Sequence, residues 1–162
     1  THKLAQKDTA ARWTKKNDET HYGYKNHVKV DADSKIITDY ATTSANIHDS
    51  NEFSEFLGEA DKVIYADSAY VGKEIPKHVE NRICEKGYRG KPLTDEQKES
   101  NRRKSKIRCR IEHVYGFITV SMHGLTVRSI GIKRAEFNIG LTNLVYNFCR
   151  YTILKRKEVY MG

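Results

Sequence analysis

Apolar positions fall two apart early in the chain and three or four apart later, so the sequence predicts extended structure first and helices afterwards. Tyr22, Tyr24, Val28 and Val30 are two apart in most steps. After the turn-forming Asp31-Ala32-Asp33-Ser34 comes Ile36-Ile37-Thr38-Asp39-Tyr40-Ala41-Thr42, and together these residues predict a β-hairpin. Residues 1–20 are polar and aperiodic apart from Trp13, and read as a loop leading into the domain.

Beyond the hairpin the signals alternate. Asp49 with Glu52 resembles a capping box, and Phe53, Phe56 and Leu57 predict a short helix that Gly58 stops. Val63-Ile64-Tyr65-Ala66 predicts a short buried strand with Asp67 at its C-terminal tip. A helix over 74–81 and a strand near 82–85 are expected next. Thr94-Asp95-Glu96-Gln97 is a capping box, and downstream Ile107, Ile111, Val114, Tyr115, Ile118 and Met122 are spaced 4, 3, 1, 3 and 4, which predicts one long amphipathic helix. Phe137, Leu141, Leu144, Val145 and Phe148 mark a C-terminal helix despite Gly140 within it. Strands alternate with helices only after the hairpin, and no internal repeat is present, so the class is α/β or α+β.

Charge adds a partner to this picture. Lys and Arg outnumber Asp and Glu by 29 to 21, giving a net charge of +8 and a pI near 9.3. A polyanion is the natural partner of such a surface, and nucleic acid is the common one. At 162 residues the chain is long enough for one core. Cys84, Cys109 and Cys149 are odd in number and form no C-x-x-C pair, which argues against a disulfide framework or a zinc site. No stretch approaches the ~20 apolar residues that span a bilayer, so no membrane partner is indicated and a reducing cytoplasm is the expected compartment. The chain opens on Thr1 in mid-pattern, as a fragment would.

Two carboxylates stand out chemically. Asp67 ends an apolar strand, and Glu112 lies in the long helix 45 residues later. Phosphodiester cleavage by two metal ions needs carboxylates converging on Mg²⁺ ions ~4 Å apart, which activate the attacking oxygen and stabilise the leaving one. The plain alternative is a capped turn and a solvated helix face. Ser105, Arg108, Glu112 and Thr119 are separated by 3, 4 and 7 residues and share one helical stripe, on which Arg108 and Glu112 meet at i,i+4. Between residues 86 and 110 there are ten Lys or Arg against three acids, and residues 101–110 hold Arg102, Arg103, Lys104, Lys106, Arg108 and Arg110 with no acid. Like charges at i,i+4 repel, so such a run points to bound phosphate. The histidines lack metal-ligand spacing, Ser68 lacks a G-x-S-x-G elbow, and no glycine-rich phosphate loop is present, which leaves no basis for a small-molecule substrate.

Six segments now form a pattern: Asp8-Thr9-Ala10-Ala11-Arg12-Trp13-Thr14-Lys15-Lys16, His21-Tyr22-Gly23-Tyr24-Lys25-Asn26-His27-Val28, Ala45-Asn46-Ile47-His48-Asp49-Ser50, Tyr65-Ala66-Asp67-Ser68-Ala69-Tyr70, Arg110-Ile111-Glu112-His113-Val114-Tyr115-Gly116 and Asn143-Leu144-Val145-Tyr146-Asn147. In this order they resemble the DDE transposases of the insertion-sequence-five family. The resemblance implies a ribonuclease-H-like mixed sheet with flanking helices, and Mg²⁺- or Mn²⁺-dependent nicking at element ends. It also implies strand transfer by the freed 3′-hydroxyl, action as a homo-oligomer, and a bacterial, nucleoid-associated setting. Asp67 matches the second catalytic aspartate, Glu112 the catalytic glutamate, and Arg108 the arginine of the related tyrosine-arginine-glutamate-lysine signature. Ser105 and Thr119 depart from the tyrosine and lysine of that signature.

The family's first catalytic aspartate lies on a hydrophobic strand upstream of the segment that begins this chain, and residues 1–16 offer no counterpart. Asp8 is flanked by polar residues; Asp31 and Asp39 are the other early acids. On the resemblance, the absent strand is the central one of the sheet, between the hairpin and residues 63–66. The expected organisation is a polar lead-in over 1–20, an N-terminally truncated catalytic domain over 21–156 and a tail over 157–162, inactive by itself. The other reading, from a different class, is a non-catalytic basic DNA-binding protein derived from a transposase.

Overall fold

The computed structural model describes residues 2–16, 18–124 and 126–161. They form a mixed α/β structure in two compact units, one made of Thr1–His48 with Val114–Gly162 and the other of Asp49–His113.

In the first unit a single helical turn, α1 (His2–Ala5), precedes strands β1 (Arg12–Lys16), β2 (Glu19–Val30) and β3 (Ile37–Ser44). The expected hairpin is β2–β3, antiparallel from Tyr24 opposite Ser44 to Lys29 opposite Asp39, with a shift of register at Val30. Its turn closes because the Asp31 carboxylate accepts from the Ser34 N–H at 2.7 Å and Lys35 takes a left-handed φ of 61°. The reading of residues 1–20 as a loop is corrected: β1 pairs with the first half of β2, Arg12 opposite Gly23 through Lys16 opposite Glu19. Backbone pairing makes this strand, and because Arg12, Trp13 and Lys15 are all exposed it carries no apolar alternation to be read.

Helix α4 (Ile132–Met161) lies on β3 and β2 and includes residues 157–161 of the expected tail. Ala135, Ile139, Asn143 and Tyr146 face inward, Ile139 at 1% exposure. The apolar set that predicted the helix is the other face: Phe137, Leu141, Leu144, Val145 and Phe148 are exposed, Phe137 at 70%. The inner face is held by side-chain amides. Asn143 exchanges two hydrogen bonds with Asn26 (2.8 and 3.1 Å), and Asn147 accepts from the Ile37 N–H and donates to its carbonyl (2.9 and 2.8 Å), closing the start of β3. The Tyr146 hydroxyl donates to the Lys35 carbonyl at 2.8 Å and Arg150 to that of Ser34 at 2.6 Å, so α4 also grips the hairpin turn. A β-carbon at Gly140 would meet the Tyr40 hydroxyl and ring, so that exposed side chain would have to shift to admit one.

The second unit begins with two short 3₁₀ turns, Asp49–Asn51 and Phe53–Phe56, in place of one capped helix; Glu52 makes no side-chain cap. Strand β4 (Val63–Ile64) runs parallel to β5 (Glu80–Asn81), and the ladder continues as Arg82 N–H to Ile64 O (2.9 Å) and Cys84 N–H to Ala66 O (3.0 Å). The helix expected over 74–81 is corrected to extended chain and a turn. Pro76 disfavours the helical region for Ile75 and lacks a helical donor, and the Val79 N–H closes a turn onto its carbonyl at 2.9 Å. Phe53, Ala66 and Ile83 form the core of this unit with Leu57, Ile64, Tyr70 and Ile75 around them.

Helix α2 (Asp95–Arg108) starts at the Thr94–Gln97 capping box as expected. The single long helix is not continuous. Cys109 ends α2 with its N–H bonded to the carbonyls of Ser105 and Ile107, α3 (Arg110–Gly116) follows, and a wider π turn spans Phe117–Ser121. No Pro or Gly marks the break at Cys109. Among the described residues no helix is long and apolar enough to cross a membrane.

Candidate active site

Asp67 stands where the strand reading puts it. The parallel ladder ends at Ala66, Asp67 remains extended at φ −70° and ψ 160°, and its carbonyl accepts from the Tyr70 N–H at 3.0 Å to begin the turn Ser68–Tyr70. Its side chain is exposed and accepts from the Ser68 hydroxyl at 3.1 Å. Behind it the Tyr70 hydroxyl is held above its ordinary value, chiefly by burial and then by the negative charges of Asp49 and Asp67. The Tyr70 hydroxyl thus feels the charge of Asp67 and also that of Asp49. Sequence reasoning took Asp49 for a helix cap, although it sits in one of the six family-like segments.

Glu112 lies in the first turn of α3, exposed, and accepts an ion pair from Arg108 at 3.0 Å. The pair crosses the break at Cys109, because the Glu112 N–H bonds to the Cys109 carbonyl at 3.0 Å and keeps the helical path. Asp67 and Glu112 belong to the same unit, 49–113. Among the described residues no group of three or more His, Cys, Asp or Glu could hold a metal ion. Two carboxylates, one paired with arginine, fall short of the oxygen set that two Mg²⁺ ions need. The residues present do not by themselves fit a two-metal centre.

The basic run divides in the structure. Arg102, Arg103 and Lys106 are exposed on α2. Arg102 and Arg103 share Glu99, one turn earlier, at 3.9 Å each, so two cations meet one acid. Lys104 is different: its side chain is 14% exposed, donates to the Ile83 carbonyl at 3.0 Å and pairs with Glu85 at 3.5 Å. It ties α2 to the chain after β5. Arg108 is committed to Glu112, and Arg110 is half-buried at the start of α3.

The early acids serve the fold of the first unit. Asp31 organises the hairpin turn, and the Asp39 carboxylate accepts from the Tyr40 N–H at 2.8 Å. Asp8 accepts from the N–H groups of Ala10, Ala11 and Gly131 at 3.1 Å each and from the Tyr24 hydroxyl at 2.7 and 2.8 Å. Burial pushes its carboxyl up, but these donors outweigh it and hold the group below its ordinary value, while Tyr24 is held above its ordinary value by burial first and then by its bond to Asp8. A lowered folded-state value means that this contribution is present above the ordinary carboxylate range and lost as pH falls through the folded value. Asp8→Asn should therefore lower stability by about 1 kcal/mol near neutrality and leave the wild type and variant converging at acid pH. Urea melts from pH 7 to pH 3 would test this, and a constant gap would refute it.

Comparison with known proteins identifies the lineage of these features. The family described as "Transposase DDE domain" matches residues 1–148. The "Transposase for insertion sequence element IS1106" of Neisseria meningitidis serogroup B is 34% identical over 117 residues, covering 68% of this chain and 40% of that protein. The match thus spans less than half the length of this curated relative. No solved structure gives a significant match. With the family match extending over most of its length, the chain belongs to the transposase DDE domain family.

Proposed function

We propose that this chain supplies part of a DNA transposase that nicks DNA at element ends and joins the freed 3′-hydroxyl to target DNA. The observation that carries the reading is the family match across residues 1–148, which contains both Asp67 and Glu112. In this reading residues 21–156 are the larger part of a ribonuclease-H-like catalytic domain, and Asp67 and Glu112 are two of its ligands for Mg²⁺ or Mn²⁺. By the family resemblance, the remaining carboxylate stands on a strand outside the segments matched here. Divalent metal would supply the charge that stabilises the attacking and leaving oxygens. Arg108 orients Glu112, and Arg102, Arg103 and Lys106 contact phosphate. Pairing of two element ends requires a homo-oligomer working on the bacterial nucleoid.

The test compares residues 1–162 with a version extended upstream to the length of the relative, each incubated with labelled element-end DNA and Mg²⁺ or Mn²⁺. Metal-dependent nicking is expected from the extended protein only. Binding without nicking by both would favour the non-catalytic DNA-binding alternative, and equal nicking by both would show that a carboxylate within 1–162, Asp49 first among them, completes the site.

A further inference from the structure

Trp13 is the single tryptophan of the chain and is 65% exposed. Tryptophan is seldom left in water to this degree, because it offers more apolar area to bury than other side chains. Its environment explains the position without explaining the exposure. Trp13 sits directly opposite Tyr22 on the ribbon formed by β1 and the first half of β2, with ring centroids 4.9 Å apart and planes tilted by 48°; Tyr22 is itself 51% exposed.

The pair is also held in place. The Tyr22 hydroxyl donates to the Asp8 carbonyl at 2.8 Å, and the Asp8 side chain is anchored to Tyr24 and to the Gly131 N–H. The aromatic surface is thus fixed before any partner arrives, which lowers the entropy lost on binding. The sequence around it is basic, residues 3–29 containing seven Lys or Arg (Lys3, Lys7, Arg12, Lys15, Lys16, Lys25, Lys29) against Asp8, Asp18 and Glu19; of these, Lys15 pairs with Asp18 at 2.9 Å on the exposed ribbon and Lys25 donates to the Ile47 carbonyl at 2.7 Å. Lys15 shares the face of Trp13, two residues on along β1.

We propose that Trp13 and Tyr22 form a stacking platform for an unpaired base of a DNA strand, with the basic ribbon following the phosphates. Flat aromatic faces among cations suit nucleobases, which present a π-face whatever their sequence. Two rings are also too small a patch for a stable protein interface. The proposal rests on the DNA-transposase reading and adds to it a contact that catalysis at Asp67 and Glu112 does not need.

Because Trp13 is unique, its fluorescence reports from the proposed site alone. The intact chain is titrated with an oligothymidine strand of about 12 nucleotides and with a blunt duplex, while labelled-DNA anisotropy follows total binding. Saturable quenching by the single strand, weaker by the duplex, is expected. Trp13→Ala and Tyr22→Ala should each weaken single-strand binding by roughly 10-fold, whereas Tyr22→Phe, which keeps the ring and loses the Asp8 tether, should retain most of it. Unchanged far-UV circular dichroism checks that the variants are folded. Anisotropy showing binding while Trp13 emission stays constant would overturn the platform and leave the transposase reading standing; absence of any DNA binding would remove both.

Discussion

Asp67→Asn, placed in the protein extended to the length of its relative, is expected to reduce metal-dependent nicking by about 10²–10³-fold or more, with DNA affinity unchanged. The size follows from what the carboxylate does. Charge stabilisation in the transition state is worth that much for a single well-placed group, and replacing a carboxylate by an amide also weakens a hard-cation site. Glu112→Gln should behave the same way, and the double variant should be little worse than either alone, because the two act as a unit. The exposed position of Asp67 at the end of the parallel ladder makes a folding defect an unlooked-for result. Arg108→Ala provides the contrast. It frees Glu112 from a 3.0 Å ion pair, so the loss should be smaller and partly recovered by raised metal concentration. Nicking that survives Asp67→Asn would end the assignment.

Replacing Arg102, Arg103 and Lys106 together by alanine should lower the slope of log affinity against log salt by roughly 2.5–3 units, about 0.9 for each phosphate contact removed. The three side chains are exposed, and Arg102 and Arg103 share Glu99 at 3.9 Å each. Lys104 separates this reading from a general effect of basic charge. Since it is largely buried on the Ile83 carbonyl, Lys104→Ala should cost about 1–3 kcal/mol of stability and leave the salt slope nearly intact. Salt titrations of DNA binding beside urea melts read both quantities. A slope that responds to Lys104 and not to the exposed triple change would reverse the assignment of these residues.

Local chemistry made several features legible in the sequence. The Thr94–Gln97 capping box, the Asp31 turn and the position of Asp67 after 63–66 depend on residues within a few positions of one another, so a linear reading reaches them. The ion pair of Arg108 with Glu112 was legible for the same reason. Strand β1 was not, because an exposed strand made by backbone pairing leaves no alternation of side chains. Nor was the loss of the helix over 74–81 anticipated, where Pro76 outweighed the surrounding pattern.

Only tertiary structure decided which cations are available and which face of a helix is covered. Lys104 looks like its neighbours in the sequence and differs because the Ile83 carbonyl lies within its reach. In α4 the apolar period announced a helix through Phe137, Leu141, Leu144, Val145 and Phe148, yet the face laid against the hairpin is that of Ala135, Ile139, Asn143 and Tyr146. A hydrophobic period measures how apolar residues repeat and carries no information on which surface meets them. The face laid against the hairpin carries polar groups that match the backbone groups the hairpin presents: Asn147 to Ile37, Tyr146 to Lys35 and Arg150 to Ser34.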